Sequence, residues 1–139
     1  QGAIGLVQLE RLNELLAERR RWATYYMDEL AGIEWLRTPV VPEGSEHGWQ
    51  SYVTVVNPDL APLPRNELMR QLHEVGVATR AGTHAVHELG YYRDSSVARQ
   101  VECVNSSVCA ANSLAIPLHN RMVFEDFEYV VTMLHQLGR

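Results

Sequence analysis

The chain has 139 residues, a formal net charge of −5, 46% hydrophobic residues and 21% charged residues. This length suits one domain with a single core, and the acidic balance argues against a nucleic-acid-binding protein, which normally carries a basic face. No apolar run approaches the roughly 20 residues that cross a membrane, and no signal peptide is recognisable. We therefore expect a cytoplasmic protein with neither a nucleic-acid partner nor a membrane partner.

All 12 basic residues of the chain are arginine. Lysine is normally among the commonest residues, and its amine is the side-chain group that forms Schiff bases with carbonyl compounds. The composition therefore excludes any mechanism in which a side chain of this chain forms such a bond. The sequence begins at Gln1 inside a helical pattern, so we expect the chain to be part of a longer protein.

Hydrophobic periodicity predicts four main helices and one short helical turn. The first helix is long, and we expect it to end at Gly32 in a left-handed conformation. Pro64 suits the first turn of the second helix, while Thr83 and either Ser95 or Ser96 are candidate caps of the short turn and the third helix. The predicted helices cover residues 3–31, 65–75, 97–111 and 124–137, and the short turn covers residues 84–89.

Four segments read as strands, of which WQSYVTVV is the richest in β-branched and aromatic residues. They cover residues 33–38, 49–56, 77–80 and 113–118. The order of the elements predicts an α+β domain, with a small, mostly antiparallel sheet and helices packed on one face. We divide the chain into a long linking helix, 1–32, and a small domain, 33–139.

Two local patterns predict which side chains are exposed. Arg19, Arg20 and Arg21 lie in the middle of the first helix, where we expect all three to be exposed. Cys103 and Cys109 lie among valines, so we expect them on a buried helix face where thiols are usually inert. Their spacing fits neither a disulfide framework nor a zinc site.

The stretch RAGTHAVHELGYY, residues 80–92, concentrates polar and aromatic side chains. On a helical turn, His84 and His87 are three residues apart and face the same way. A metal site also needs a third ligand and groups that orient the ligands, and no acidic or cysteine ligand follows at a diagnostic spacing. We therefore predict no metal site. Ordinary polar contacts within a turn remain the alternative to a substrate-facing role.

Three further residues of this stretch have both a functional and a structural interpretation. The guanidinium group of Arg80 suits a phosphate or carboxylate, although a lone arginine at the end of a strand more often forms a surface ion pair. Thr83 can contact a ligand or cap the turn, and Tyr91 with Tyr92 forms an aromatic edge that is typical of cores and interfaces. The chain has no G-x-S-x-G motif and no glycine-rich phosphate loop, so its own residues do not make a complete enzyme.

Five segments resemble, in the same order, the C-terminal part of the DegT/DnrJ/StrS family of pyridoxal-phosphate-dependent sugar aminotransferases. They are QGAIGLVQLERL (1–12), WQSYVTV (49–55), VGVATRAGTHAVHELGYY (75–92), SLAIPLHNRM (113–122) and EDFEYVV (125–131). The first and third segments are the most specific. Val123 departs from the family pattern, which commonly has a capping serine or threonine there.

The resemblance implies a fold of the aspartate-aminotransferase type. In this family a large N-terminal domain holds pyridoxal phosphate and its lysine, which here would lie upstream of Gln1. A C-terminal small domain closes over the cleft, and two subunits build the sites, so the resemblance implies a homodimer. The implied reaction passes an amino group, commonly from glutamate, to a keto group of a nucleotide-linked sugar.

The resemblance also implies roles for the stretch at 80–92, which borders the substrate cleft in the family. Arg80 is expected to bind a phosphate or carboxylate, and the other residues to lie on the sugar side. The predicted substrate-binding residues are Arg80, Thr83, His84, His87 and Tyr91. We expect no catalytic, cofactor-binding or metal-binding residue in this chain, and we expect the chain alone to be inactive and to bind pyridoxal phosphate weakly or not at all.

Other functions remain open at this point. The chain is alternatively a stand-alone α+β interaction domain that docks a partner through its first helix. It is otherwise a dehydratase or regulatory relative on the same scaffold, because the position of the lysine lies outside the sequence. A small histidine-based metal protein ranks below all of these.

Overall fold

A computed structural model describes residues 2–93, 96, 99 and 101–137. Within these residues the helices and strands alternate along much of the chain. The helices are α1 (Gly2–Glu10), α2 (Leu12–Leu30), α3 (Arg65–Glu74), α4 (Gly90–Arg93), α5 (Val104–Asn112) and α6 (Phe124–Leu137), with a 3₁₀ turn at Val86–Glu88. The strands are β1 (Leu36–Arg37), β2 (Tyr52–Val56), β3 (Arg80–Ala81) and β4 (Ser113–Ile116).

The sheet has the strand order β1-β2-β4-β3, and each neighbouring pair is antiparallel. Its centre is the pairing of β2 with β4, in which Tyr52 lies opposite Ile116 and Thr54 lies opposite Leu114. The α+β class and the small antiparallel sheet are therefore confirmed.

The core lies between one face of the sheet and helices α2, α3 and α6. Because side chains alternate along a strand, Tyr52, Thr54 and Val56 of β2 are buried against the helices while Val53 and Val55 face the other way and are half-buried. Between α2 and α6, the rings of Trp22 and Phe127 stack with centroids 4.2 Å apart. Helices α2 and α6 therefore pack on each other through buried aromatic rings.

The predicted first helix is interrupted. The backbone at Arg11 leaves helical geometry, with φ −98° and ψ 4°, and so separates α1 from α2. No residue of α1 is buried, and Ile4, Leu6 and Leu9 are among its exposed apolar side chains. The expectation of a left-handed Gly32 was wrong, because positive φ values among the described glycines occur only at Gly44 and Gly76.

All four predicted strands are longer than the observed ones, most of all the first and the third. In place of a strand over 33–38, the chain leaves α2 through turns in which Ile33 donates to the carbonyl of Leu30 and Leu36 donates to the carbonyl of Ile33. Only the last part of this segment pairs with β2. The predicted strand at 77–80 overlaps the observed strand β3, Arg80–Ala81, only at Arg80.

The predicted helix over 97–111 corresponds to the shorter α5, which begins at Val104. Part of the prediction, including the cap at Ser95, falls on residues outside the described ones, and Ser96 lies in a turn. Cys103 and Cys109 are both exposed, so the predicted buried face was wrong. The reason is that the serines of α5 lie on its half-buried side, whereas the valines of α5 are exposed.

Arg19 is partly buried, in contrast to the prediction of an exposed arginine. Its guanidinium group donates to the carbonyl oxygens of Trp49 at 2.8 Å and Gln50 at 3.0 Å, and to Asn120 Oδ1 at 2.9 Å. Arg20 and Arg21 are exposed as expected. One arginine therefore ties α2 to the loop before β2 and to the turn before α6.

The first turn of α6 is capped although Val123 has no capping side chain. The Asp126 carboxylate accepts a hydrogen bond of 2.9 Å from the backbone N–H of Val123, which is one half of a capping box. Acidic Glu125 and Asp126 also complement the helix dipole in this turn. No helix in the described part of the chain is both long and apolar enough to cross a membrane.

Candidate functional site

Residues 82–112 leave the sheet after β3 and return to it at β4, and we call this segment the excursion. Its two ends meet at one carbonyl group, that of Ser113. This oxygen accepts hydrogen bonds from the backbone N–H of Gly82 at 3.2 Å and from Arg65 Nη1 at 2.7 Å, while Arg65 Nη2 donates to the carbonyl of Ala110 at 2.9 Å. Partial burial lowers the pKa of the Arg65 guanidinium. The excursion is thus anchored at both ends against β4.

The excursion crosses the outer face of the sheet at very close range. A Cβ atom placed on Gly82 would lie 2.3 Å from Val53 Cγ1 and 2.8 Å from Ser113 Cβ. Real Cβ atoms do not approach other carbons so closely, so this position requires glycine. Arg80 lies opposite Ala115, which in turn lies opposite Val53. Cross-strand neighbours share a face, so Arg80 stands on the face that the excursion crosses.

A cavity of about 430 Å³ lies between the 3₁₀ turn and the start of α5. His87 Nε2 lies 3.2 Å from Ser107 Oγ of α5. It also lies 3.8 Å from Glu88 Oε1, its neighbour in the 3₁₀ turn. Its polar lining is completed by Arg93, Glu102 and Cys103. The cavity therefore combines an imidazole, a hydroxyl, a guanidinium, a thiol and two carboxylates, a set suited to hydrogen bonding with a polar ligand.

The structure brings only one of the five predicted substrate-binding residues into this cavity. His87 lines it and is half-buried, whereas Arg80, Thr83, His84 and Tyr91 are exposed. The exposed residues sit along the strand, the loop and the helix that lead to and from the cavity. Nothing in these positions tests their predicted contact with substrate, which stays a prediction.

Two local predictions for the stretch at 80–92 were wrong. The 3₁₀ turn begins after Ala85, whose side chain makes no capping bond, so Thr83 is not a cap. His84 precedes the turn, so it does not share a helical face with His87. Tyr91 packs edge-to-face against Tyr92 with ring centroids 5.2 Å apart, and Tyr91 is 72% exposed. This aromatic pair is therefore a surface feature of the excursion.

The sequence reasoning missed Ser107, Glu102 and Cys103 as cavity residues. These residues lie far from His87 in the sequence, and only the return of the excursion brings them near it. A weak signal was available, because a serine pair in a short helix of otherwise small and apolar residues marks the side that meets polar groups. Among the described residues, no three histidine, cysteine, aspartate or glutamate side chains cluster as metal ligands would.

The chain matches, over residues 1–135, a model of the DegT/DnrJ/EryC1/StrS aminotransferase family. It is also similar to the spore coat polysaccharide biosynthesis protein SpsC of Bacillus subtilis (strain 168), with 28% identity over 138 residues. That match covers 99% of this chain and 36% of SpsC. The chain therefore spans about a third of the length of this relative.

Two solved structures are similar to this fold. The sugar aminotransferase CalS13 from Micromonospora echinospora has a TM-score of 0.80 and 28% identity, with 97% of this chain and 34% of that chain covered. DesI, whose crystal structure was determined in the presence of its TDP-sugar product, has a TM-score of 0.89 and 23% identity, with 99% of this chain and 35% of that chain covered. The similarity to DesI supports the fold alone.

Proposed function

The chain belongs to the DegT/DnrJ/EryC1/StrS aminotransferase family, and we propose that it is the C-terminal small domain of a pyridoxal-phosphate-dependent sugar aminotransferase. In this proposal the intact protein passes an amino group from glutamate to a keto group of a nucleotide-linked sugar. The single observation that carries it is the family match over residues 1–135. The similarity to the sugar aminotransferase CalS13 supports the substrate class.

The chain's own residues do not fit a covalent site for pyridoxal phosphate, because all 12 of its basic residues are arginine and the cofactor binds covalently through a lysine amine. We therefore propose that a large domain outside this chain binds the cofactor. Pyridoxal phosphate supplies the electron sink for amino transfer. The division into a linking helix at 1–32 and a small domain at 33–139, and a cytoplasmic homodimer, stay predictions.

The role we assign to this chain is binding and orienting the substrate. Arg80 is an exposed cation without an ion pair among the described residues, and it lies on the sheet face that the excursion crosses. Its guanidinium suits the diphosphate or a carboxylate. Thr83, His84 and His87 supply hydrogen-bonding groups to the sugar side, and Tyr91 offers an exposed ring as an apolar surface. The half-buried His87 in its cavity is the best-defined group of this set.

Helix α1 is exposed in this chain but has the composition of a buried helix. Its exposed apolar residues are distributed over all sides of the helix. A helix that is apolar on all sides is typically buried. In the intact enzyme we expect it to pack against the rest of the protein. A stand-alone interaction domain would also need a covered α1, so this helix does not separate the two functions.

An assay of the intact protein tests the proposal. The protein that contains this chain is incubated with pyridoxal phosphate, glutamate and a panel of nucleotide-linked keto sugars, and formation of 2-oxoglutarate is measured. We expect glutamate-dependent turnover with at least one such sugar and none with the matching free keto sugar. The 139-residue chain alone should give no turnover and no new visible absorbance band with the cofactor.

The outcome also separates the related functions. Loss of water from the sugar without consumption of glutamate would identify a dehydratase. Absence of any reaction across the panel, with the cofactor bound, would favour a regulatory relative. Turnover or a new absorbance band from the 139-residue chain alone would contradict our assignment of the cofactor to another domain.

A further inference from the structure

We propose that Ser107 is a positioning residue that holds His87 in the tautomer with its proton on Nε2. The two residues are 20 positions apart, one in the 3₁₀ turn and one in α5, and Ser107 Oγ lies 3.2 Å from His87 Nε2. Both are half-buried, and both line the same cavity. The contact is therefore tertiary and depends on the return of the excursion.

The Ser107 hydroxyl is able to accept the proton of His87 Nε2. The backbone N–H of Ser107 donates to the carbonyl of Cys103, so the residue lies one full turn into the helix. Among the described residues, its hydroxyl has no hydrogen-bonding partner other than His87 Nε2. A hydroxyl oxygen carries two lone pairs, so Ser107 accepts a hydrogen bond from Nε2–H and keeps its own proton for a ligand.

The charge beside the ring favours the same tautomer. Glu88 Oε1 lies 3.8 Å from His87 Nε2, and a nearby carboxylate stabilises a proton on the nitrogen that faces it. In the described part of the chain, Nδ1 of His87 makes no hydrogen bond. The neutral ring therefore presents a lone pair at Nδ1, which accepts hydrogen bonds and cannot donate one.

This tautomer selects the chemistry of the ligand. An acceptor at Nδ1 binds a hydroxyl or amino group and disfavours a phosphate or carboxylate oxygen, which is also an acceptor. The identity of the ligand rests on the proposed function. With a nucleotide-linked sugar in the cavity, His87 accepts a hydrogen bond from a sugar hydroxyl, and the diphosphate binds elsewhere. Ser107 acts through His87 and does not itself need to touch the substrate.

Histidine ring NMR tests the tautomer in the 139-residue chain. Long-range ¹H–¹⁵N spectra are recorded near pH 8, above the ordinary histidine pKa of about 6.5, and His87→Gln assigns the ring by the signals that disappear. We expect the Nε2–H pattern in the unmodified chain and in Ser107→Thr, and a shift toward a mixture of tautomers in Ser107→Ala. Ser106→Ala, a serine-to-alanine change on the same helix, should leave the ring pattern unchanged.

The backbone amide spectrum shows whether each variant is folded. If Ser107→Ala disturbs folding, Ser107→Cys, whose thiol is a weak acceptor, replaces it as the variant that loses the hydrogen bond. An Nδ1–H pattern in the unmodified chain would overturn the proposal. So would an unchanged His87 pattern in a folded chain that lacks the Ser107 hydroxyl.

Kinetics of the intact enzyme test the consequence for substrate binding. We expect Ser107→Ala to raise KM for the nucleotide-linked sugar about threefold to tenfold, the cost of one ordinary hydrogen bond, with kcat within about twofold and restoration by Ser107→Thr. An unchanged KM despite an altered tautomer would refute the link to the sugar. If the unmodified enzyme has no aminotransferase activity, the proposed function fails, while the NMR result still decides the role of Ser107.

Discussion

The guanidinium group of Arg19 donates a hydrogen bond of 2.8 Å to the carbonyl oxygen of Trp49, a buried residue whose backbone φ is +46°. A positive φ is costly for a bulky residue. Here it is held from two sides, because His47 Nδ1 also accepts the backbone N–H of Trp49 at 2.9 Å. Arg19 thus helps to fix the conformation that directs the chain into β2.

Replacing Arg19 with methionine should destabilise the domain. The change removes hydrogen bonds from a charged donor to the carbonyls of Trp49 and Gln50, and we expect a loss of about 2–4 kcal/mol in the free energy of unfolding. Urea unfolding followed by tryptophan fluorescence measures it. Arg20→Met is the matched control, since the only contact of the Arg20 guanidinium with another charged side chain in the described part of the chain is an exposed ion pair of 3.5 Å with Glu46. This variant should change stability by less than about 0.5 kcal/mol. Equal losses in the two variants would refute this role of Arg19.

Gly82→Ala should destabilise the protein because its Cβ would lie 2.3 Å from Val53 Cγ1. Overpacking of this kind costs about 1–3 kcal/mol, and thermal unfolding measures it. Gly32→Ala is the control, because no atom lies within 4 Å of its added Cβ and its φ is not positive. That variant should be neutral or slightly more stable. A tolerated alanine at position 82 would contradict the close approach of the excursion to the sheet.

Tyr26→Phe should lower the free energy of unfolding, whereas Tyr52→Phe should not. The Tyr26 hydroxyl donates to the carbonyl of Pro117 at 2.9 Å, so its removal deprives a partly buried carbonyl of this donor and should cost about 1 kcal/mol. The Tyr52 hydroxyl is buried without a partner among the described residues, so Tyr52→Phe should be neutral or stabilising. Chemical unfolding of both variants at pH 7 measures the difference. Destabilisation by Tyr52→Phe similar to that by Tyr26→Phe would indicate an unseen partner for Tyr52.

The same tyrosines predict a loss of stability at alkaline pH. Burial raises the pKa of Tyr26 and of Tyr52 well above the ordinary value, so the unfolded chain releases these protons first, near pH 10. Stability is therefore undiminished by these groups below about pH 10 and falls as the pH rises beyond it. Tyr52→Phe removes one such group, so its stability relative to the unmodified chain should increase between pH 9 and pH 11. A constant difference over this range would contradict the burial of the Tyr52 hydroxyl.

The register of the sheet supplies a matched pair for testing substrate binding. Arg80 and Arg37 are both exposed and both face the outer side of the sheet, but they lie on opposite edge strands, opposite Ala115 and Val55 respectively. In the intact enzyme, Arg80→Ala should raise KM for the nucleotide-linked sugar by about tenfold or more, since charged hydrogen bonds contribute about 1.5–3 kcal/mol. Arg37→Ala should leave KM within about twofold of the unmodified value. Equal effects of the two changes would remove Arg80 from the substrate site.

Periodicity located the elements that bury a continuous apolar face. The prediction of a helix over 124–137 matches α6, and the strand predicted at 49–56 contains β2. The prediction of a strand over 33–38 was too long. Ile33, Trp35 and Leu36 are all buried, but of this segment only Leu36–Arg37 forms a strand. Burial of apolar residues, which the sequence signals, does not reveal whether their backbone pairs with a strand.

The candidate site was harder to predict because its contacts join distant segments. The stretch at 80–92 was recognised, and it contains His87, but the partner Ser107 becomes a neighbour only through the path of the excursion. The predicted exposure of Arg19 was wrong for the same reason. Its neighbours on α2 indicate an exposed helix face, whereas its hydrogen-bonding partners Trp49 and Asn120 come from loops that fold over that face.

The anchoring of the excursion makes it exchangeable as a unit. Gly82 and Arg65 both bond to the Ser113 carbonyl, and β3 pairs directly with β4 outside the excursion. A graft of the corresponding segment from a relative, joined at Gly82 and Ser113, therefore keeps the sheet register while replacing the cavity wall. We expect chimeras built at these two junctions to need no redesign of the core, and their ligand preference would show whether the cavity wall selects the ligand.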